Sequence, residues 1–227
     1  MNPVQPDESV KPVVIKGYSR TELFEKSGTV VPEDPLKKER GPLETLAGSA
    51  LQDYNEYDLG CLADYITDTH HRYIKENVEI IIELAKDVVE VHGERYPGLT
   101  ELVAMLNHFL NSLVSHIQKE EKIIFPVIRQ LIKKIDDPGA STEKPLGFVS
   151  NAVKNMLTEH EISHEDLKCF RRITNDYSLP PDAGDSYIHL FEKMKEFEND
   201  LFQHVQLENK ILFPKSSLLD EKLATRL

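Results

Sequence analysis

From about residue 50 onward, apolar residues recur at intervals of three and four positions, the spacing of one face of an α-helix. Clusters of glycine, proline and aspartate interrupt this pattern at three places, near residues 93–98, 136–139 and 180–184. The pattern therefore predicts four long helices, roughly over 58–92, 99–135, 146–176 and 184–212. No segment alternates between polar and apolar residues for long enough to build a sheet.

Amphipathic helices joined by short loops favour antiparallel neighbours. The predicted fold class is therefore all-α, an up-down-up-down four-helix bundle over residues 56–216. Residues 1–55 are rich in proline and are predicted to form a partly ordered N-terminal arm, with a short helix around 20–26. Residues 217–227 are predicted to form a C-terminal tail.

Polar residues that commonly bind metals interrupt the apolar face of each predicted helix. The second stripe continues from Leu113 to a histidine and a glutamate, and the fourth continues from Leu201 to the same pair. The first and third stripes each reach one histidine. The candidate ligands that point into the core are therefore His71, His116, Glu120, His160, His204 and Glu208.

A single histidine on an apolar face is usually a hydrogen-bonded core residue, but six such residues on four inward faces indicate a shared site. A buried, unpaired carboxylate is costly, so two of them require a common positive charge. Glu120 and Glu208 each follow an inward histidine by four positions, and residues at this spacing share one helix face. A pair of metal ions would supply the charge.

An internal repeat supports two metal ions rather than one. The segment HIQKEEKIIFP at 116–126 matches HVQLENKILFP at 204–214 at seven of eleven positions, with an offset of 88 residues. His71 and His160 are offset by 89. Two copies of one helical hairpin would build a centre with near-twofold symmetry, with two metals bridged by two glutamates.

Imidazole and carboxylate ligands without thiolate suit iron, and suit manganese or zinc less well. A carboxylate-bridged pair of metals in a bundle core favours a di-iron centre. The predicted cofactor is therefore two iron ions. We assign no catalytic residue and no other cofactor-binding residue.

Charge and composition narrow the classes of partner. The chain has 27 basic and 39 acidic residues, a net charge of -12, which argues against nucleic acid as the main partner. No apolar run approaches the length of a membrane helix, and the first residues lack the features of a secretion signal. The only cysteines are Cys61 and Cys169, which suits a reducing compartment. We expect a cytoplasmic protein without a membrane partner, either monomer or dimer.

The two His-x-x-x-Glu pairs, each followed by Ile-x-Phe-Pro, resemble those of the hemerythrin-like cation-binding domain. More narrowly, the chain resembles the iron-sulfur cluster repair di-iron proteins over about residues 60–215. Further matches are the segments LADYI at 62–66, which leads to His70 and His71, and TEHE at 158–161.

The resemblance implies that the four histidines are terminal iron ligands. It implies that Glu120 and Glu208 bridge the irons beside an oxo or hydroxo group. It also implies a cytoplasmic stress protein that repairs iron-sulfur clusters damaged by nitric oxide or oxidants, by iron delivery or by nitric oxide chemistry. The implied partners are damaged iron-sulfur proteins, with oxygen or nitric oxide as small ligands.

Several alternatives remain open at this level. His164 follows His160 by four positions, and we expect it to lie beside the site or partly exposed, with a fifth nitrogen ligand as the alternative. Because a histidine there is a ligand in oxygen-carrying hemerythrins, a protein that binds or senses oxygen or nitric oxide is the alternative function. Asn209 stands where those carriers have an aspartate, which argues against that alternative. A nitric oxide reductase-type enzyme activity is a third possibility. Residues 1–60 lack the paired cysteines common in the repair family, so we expect any thiol step to fall to a partner.

Some residues beside the candidate ligands receive a weaker interpretation. We expect Glu121 and Glu159 to lie on solvated faces, with orientation of an imidazole as the alternative. His70 is expected to lie beside the site or on the surface.

Overall fold

The computed structural model describes residues 54–225. The predicted N-terminal arm lies, up to residue 53, outside the described residues, as does the short helix predicted around 20–26. Every regular element among the described residues is helical, and the predicted all-α four-helix bundle is confirmed. None of the described helices combines the length and the apolar character needed to cross a membrane.

Residues 54–225 form seven α-helices, several of which join end to end. They are α1 (Leu59–Ile66), α2 (Arg72–His92), α3 (Gly98–Lys119), α4 (Phe125–Asp136), α5 (Phe148–Ile173), α6 (Asp185–Leu207) and α7 (Phe213–Ala224). One π-helical turn of five residues joins α1 to α2, another joins α3 to α4, and a third joins α6 to α7. The result is four long helices: α1–α2, α3–α4, α5 and α6–α7.

The contacts between helices follow the order expected of an up-down-up-down bundle. Helix α2 packs against α3 and α6, while α5 packs against α3 and α7. Helix α1 packs against α4. Each long helix therefore lies beside its neighbours in the chain, and the last closes the ring against the first.

Two of the π-helical turns precede a proline. In a regular α-helix the rings of Pro126 and Pro214 would clash with the carbonyl four residues earlier, and proline offers no N–H to the helix. The backbone N–H of Phe125 instead donates to the carbonyl of Glu120, five residues back, and Phe213 does the same with Glu208. The repeated Glu-x-x-x-x-Phe-Pro spacing therefore produces the same local geometry twice.

The apolar core consists of two clusters of buried side chains along the bundle. One includes Leu106, Phe109, Phe170 and Phe197, between α2, α3, α5 and α6. The other joins α1, α4, α5 and α7 with their adjoining π-helical turns, and includes Phe125 and Phe213. The polar candidate ligands lie along the chain between the residues of these two clusters, which exclude water on both sides.

Helix α7 contributes to the core beyond residue 216, where we placed the start of the tail. Its Leu223 is buried, and its buried Asp220 accepts hydrogen bonds from the backbone N–H groups of Gly147, at 2.8 Å, and Ser150, at 3.1 Å. N–H groups at the start of a helix such as α5 have no acceptor within the helix, and a negative charge there is stabilising. Gly147 has a φ of 87°, which glycine adopts without strain. Asp220 thus fixes the start of the third long helix.

Candidate metal centre

The six predicted ligands lie together in the bundle interior, and all are buried. His71, Glu120, His204 and Glu208 are each 0% exposed. Each long helix contributes at least one of them. The 3.6-residue helical repeat places His116 and Glu120 on one face, and likewise His204 and Glu208.

The six side chains form two overlapping groups of four, each with ligand atoms within 4.8 Å of one another. We call the group with His71 and His204 subsite 1, and the group with His116 and His160 subsite 2. Both glutamates belong to both subsites. This is the only such pair of groups among the described residues.

Each glutamate presents one carboxylate oxygen to each subsite. Glu120 Oε2 lies 3.3 Å from His71 Nε2, and its Oε1 lies 3.2 Å from His116 Nε2. Glu208 Oε1 lies 3.1 Å from His204 Nε2, and its Oε2 lies 3.3 Å from His160 Nε2. The carboxylates are therefore shared between the two subsites.

The groups at this centre require positive charge between them. All four glutamate oxygens are buried and make no hydrogen bond to a described residue. The Nε2 atoms of His71 and His204 lie 3.2 Å apart, and those of His116 and His160 lie 2.9 Å apart. Buried carboxylates cost free energy unless a cation compensates them. Converging nitrogen and oxygen lone pairs fit a bound metal ion at each subsite.

The pKa shifts at the centre have the same origin. Burial lowers the pKa of His116, but the carboxylates of Glu120, Glu208 and Glu159 together outweigh burial and raise this pKa to about 9. Burial and then Glu208 raise the pKa of Glu120, yet His116 and His71 together outweigh both and lower it. A proton on the imidazole thus occupies the position that a metal ion would take.

The family of the chain follows from a comparison with known families. The family described as "Hemerythrin HHE cation binding domain" matches residues 62–216, which include all six candidate ligands. The chain belongs to the hemerythrin HHE family. This domain binds metal cations, and the buried histidine and glutamate groups are the residues able to hold them.

Relatives of the hemerythrin domain protein confirm the narrower resemblance. A "Probable iron-sulfur cluster repair protein" of Haemophilus influenzae is 30% identical over 171 residues, covering 75% of this chain and 70% of the relative. "Iron-sulfur cluster repair protein YtfE" of Yersinia pseudotuberculosis is 29% identical over 183 residues, covering 81% and 76%. The Yersinia pestis protein of that name shows the same identity and coverage.

Three of the candidate ligand histidines of the hemerythrin domain direct Nδ1 at an oxygen atom. The distances are 3.0 Å from His71 to Glu121 Oε1, 2.8 Å from His116 to Glu159 Oε2, and 2.8 Å from His160 to Asn209 Oδ1. An imidazole that offers Nε2 to a metal carries its proton on Nδ1, so each contact is an N–H that donates to oxygen. These contacts fix the ring orientation and the tautomer.

Lysines hold two of these acceptors in place. Lys75 Nζ lies 2.6 Å from Glu121 Oε1, and Lys119 Nζ lies 2.6 Å from Glu159 Oε1. Glu121 and Glu159 are half-buried, with side chains 21% and 33% exposed, so each keeps contact with solvent and also takes the alternative position beside an imidazole. Asn209 was not predicted in this role. Its signal was its place in the repeat, because it corresponds to Glu121.

His164 does not join either subsite. It is exposed, and the half-buried residue one turn after His160 is Ser163. The inward face of α5 continues from His160 through Ser163 to Leu167, so the next inward position is three residues on and not four. The fifth-ligand alternative therefore has no support in the arrangement of α5.

His70 is buried, at 3% exposed, and its Nδ1 lies 2.9 Å from Asp200 Oδ1. Its ring is nearly parallel to that of His204, with 5.8 Å between centroids and 7° between planes. Of the two expected locations, the position beside the site is the observed one. Asp200 was not predicted, because its contact with His70 joins two helices that are distant in sequence.

Proposed function

We propose that this protein holds a di-iron centre and repairs iron-sulfur clusters damaged by nitric oxide or oxidants. The proposed ligands are the six residues of subsites 1 and 2, with Glu120 and Glu208 bridging two irons beside an oxo or hydroxo group. The observation that carries this proposal is the pair of four-residue groups that share both carboxylates. One metal could not satisfy both groups, because each carboxylate directs its two oxygens at different histidines.

The donor set supports iron. Four imidazoles and two carboxylates without thiolate suit a first-row ion of intermediate hardness, and carboxylate-bridged pairs in helical bundles are typical di-iron sites. Bound iron would provide redox chemistry and would be a source of Fe²⁺ for rebuilding clusters.

The residues of this chain determine how such a centre is held. The histidines offer Nε2, while Glu121, Glu159 and Asn209 keep three of the Nδ1 protons engaged. The two apolar clusters of the core lie on both sides of the six proposed ligands and exclude water from them. A metal ion at Nε2 would take the place of a proton on that atom, so metal uptake would release protons.

Repair as the process is supported by the names of the relatives, which are iron-sulfur cluster repair proteins. Damaged iron-sulfur proteins are accordingly the proposed partners, in the cytoplasm, with oxygen or nitric oxide as small ligands of the centre. The alternative of an oxygen carrier or sensor is not favoured, because His164 is exposed. A nitric oxide reductase-type activity is one chemical route by which the same centre would serve repair.

Metal analysis and a repair assay test the proposal together. We expect about two irons per chain after anaerobic reconstitution, and faster recovery of a [4Fe–4S] enzyme previously inactivated by nitric oxide. Glu208→Gln should lose both properties. Glu79→Gln should keep both, because Glu79 is an exposed glutamate on α2 away from the subsites. One tightly bound zinc and no iron, or recovery that is equally fast with Glu208→Gln, would refute the proposal.

A further inference from the structure

The contacts behind the metal-facing nitrogens divide the ligand histidines unequally. Three of them direct Nδ1 at an oxygen acceptor. His204 is 0% exposed, and its Nδ1 is buried with no hydrogen-bond partner among residues 54–225. The ring of His204 is instead held by the nearly parallel ring of His70, which Asp200 anchors.

The internal repeat shows where this difference arose. Glu159, the acceptor for His116, directly precedes a ligand of the first helix of its hairpin, and at an offset of 89 the corresponding residue is His70. Lys119, which pairs with Glu159, corresponds at an offset of 88 to Leu207. The pair formed by Glu159 and Lys119 beside His116 therefore has no counterpart beside His204. The repeat position of the acceptor Glu159 is therefore taken by His70, whose ring stacks on that of His204.

A stacked ring and an acceptor position a histidine to different extents. A hydrogen bond from Nδ1 fixes both tilt and rotation of the imidazole and makes Nε2 a better donor to metal. A nearly parallel ring at a 5.8 Å centroid distance restricts rotation of the imidazole about its Cβ–Cγ bond, but it offers no acceptor for the Nδ1 proton and so does not make Nε2 a better donor to metal. Outer hydrogen-bond partners typically change metal affinity by about 10–100-fold.

Subsite 2 lacks this weakness, because both of its histidines have acceptors in Glu159 and Asn209. Subsite 1 has one oriented histidine, His71, and one stacked histidine, His204. The shared glutamates contribute one oxygen to each subsite and do not distinguish them.

We propose that the two metal subsites are unequal, with subsite 1 the one that releases its iron first. His70 and Asp200 are positioning residues that hold His204 by stacking. This inference rests on the proposed function and extends it, because it identifies the iron that would be delivered to a damaged cluster. Subsite 2 would keep its iron and preserve the fold of the bundle between deliveries.

Release kinetics with crystallography test this inference on the wild-type chain. Protein loaded with two Fe²⁺ under anaerobic conditions is mixed with an excess of a ferrous chelator, and iron release is followed by absorbance. We expect two phases, with rates that differ about tenfold or more. Crystals treated briefly with chelator should lose anomalous iron density at subsite 1 and retain it at subsite 2. A single phase, or earlier loss at subsite 2, would overturn the inference.

Matched variants on the two sides of the centre sharpen the test. His70→Gln places a neutral amide where its oxygen can accept from His204 Nδ1 and its NH₂ group can donate to Asp200, so the fast phase should slow. His70→Ala removes the stack and should accelerate the fast phase. Asn209→Ala removes the acceptor of His160 and should accelerate the slow phase.

An unchanged fast phase in His70→Gln would contradict the assigned role of His70. If His70→Ala does not fold, the wild-type crystals and the other two variants still decide the question. Failure of the proposed function has a separate signature, because a chain that binds no iron fails before any release is measured. Two irons released at equal rates would refute the unequal subsites alone.

Discussion

Replacing Glu208 by glutamine tests whether this residue is a metal ligand or has only a structural role. Glu208 is 0% exposed, and its nearest polar neighbours are His204 Nε2 at 3.1 Å and His160 Nε2 at 3.3 Å. Glutamine has nearly the same shape but no charge, so the packing around residue 208 should persist. The amide oxygen is a weak ligand, so the bridge that Glu208 would form between the two subsites should be lost.

The expected magnitude follows from linkage between metal binding and folding. A ligand present at a hundredfold excess over its Kd stabilises the native state by about 2.7 kcal/mol for each site. For a domain of this size, each kcal/mol raises Tm by about 2–4 °C. One site should therefore raise the Tm of the wild-type protein by about 5–11 °C, and two sites by more. Metal-free Glu208→Gln should differ from the metal-free wild type by only about 1 kcal/mol, because His160 and His204 can be neutral and then leave no unpaired charge, while the desolvation cost of the carboxylate is removed.

Thermal melts of metal-free and Fe²⁺-loaded protein, under anaerobic conditions, measure these shifts. The wild type and the exposed-residue control Glu79→Gln should show the full rise, while Glu208→Gln should show little. Full metal stabilisation of Glu208→Gln would show that Glu208 is not a ligand. A metal-free variant destabilised by about 3–5 kcal/mol would show instead that Glu208 is mainly one half of a buried ion pair.

The remaining predictions concern pH, the third helix and the last helix. The pKa of His116 is raised to about 9 from an ordinary 6.5, so its contribution to metal-free stability is complete below pH 6.5 and is lost as pH rises through 9. Denaturant unfolding of the metal-free protein should therefore give a free energy of unfolding that is lower at pH 9 than at pH 6 by on the order of 3 kcal/mol. His116→Gln should abolish this difference. His164→Ala should retain two irons and an unchanged near-ultraviolet absorption band of the bridged di-iron centre, since His164 is exposed. Loss of one iron would show that His164 is a ligand. Asp220→Ala should lower the free energy of unfolding by about 1–2 kcal/mol, since it removes the acceptor for Gly147 and Ser150; an unchanged midpoint in denaturant would contradict this.

The choice between His164 and Ser163 shows how far helical periodicity reaches. Both residues lie about one turn after His160, and spacings of three and four are equally compatible with an inward face. The packing of α5 against α3 and α7 decides between them, and it leaves His164 exposed. A sequence pattern locates the inward face of a helix only to within about one residue. The packing of the neighbouring helices decides which of two adjacent residues faces the core.

The histidine partners of Glu121 and Glu159 were beyond prediction for a related reason, and the sequence offered imidazole orientation only as an alternative. Glu121 and Glu159 are charged residues next to ligands, and most residues of this kind lie in water. Their partners, His71 and His116, lie on other helices, at 50 and 43 residues' distance in the chain. Only the lateral packing of the long helices brings these side chains within hydrogen-bond distance.

The sequence by itself determined the four helices and the identity of the buried histidines and glutamates, because residues three and four apart share a face whatever the surrounding structure. The internal repeat also predicted two equivalent hairpins. The tertiary structure decided which histidines pair across the bundle, and it placed both carboxylates between the two pairs. It also gave His204 a stacked ring in place of an acceptor. These features depend on the rotation of each helix about its axis, which packing between helices sets and local spacing does not.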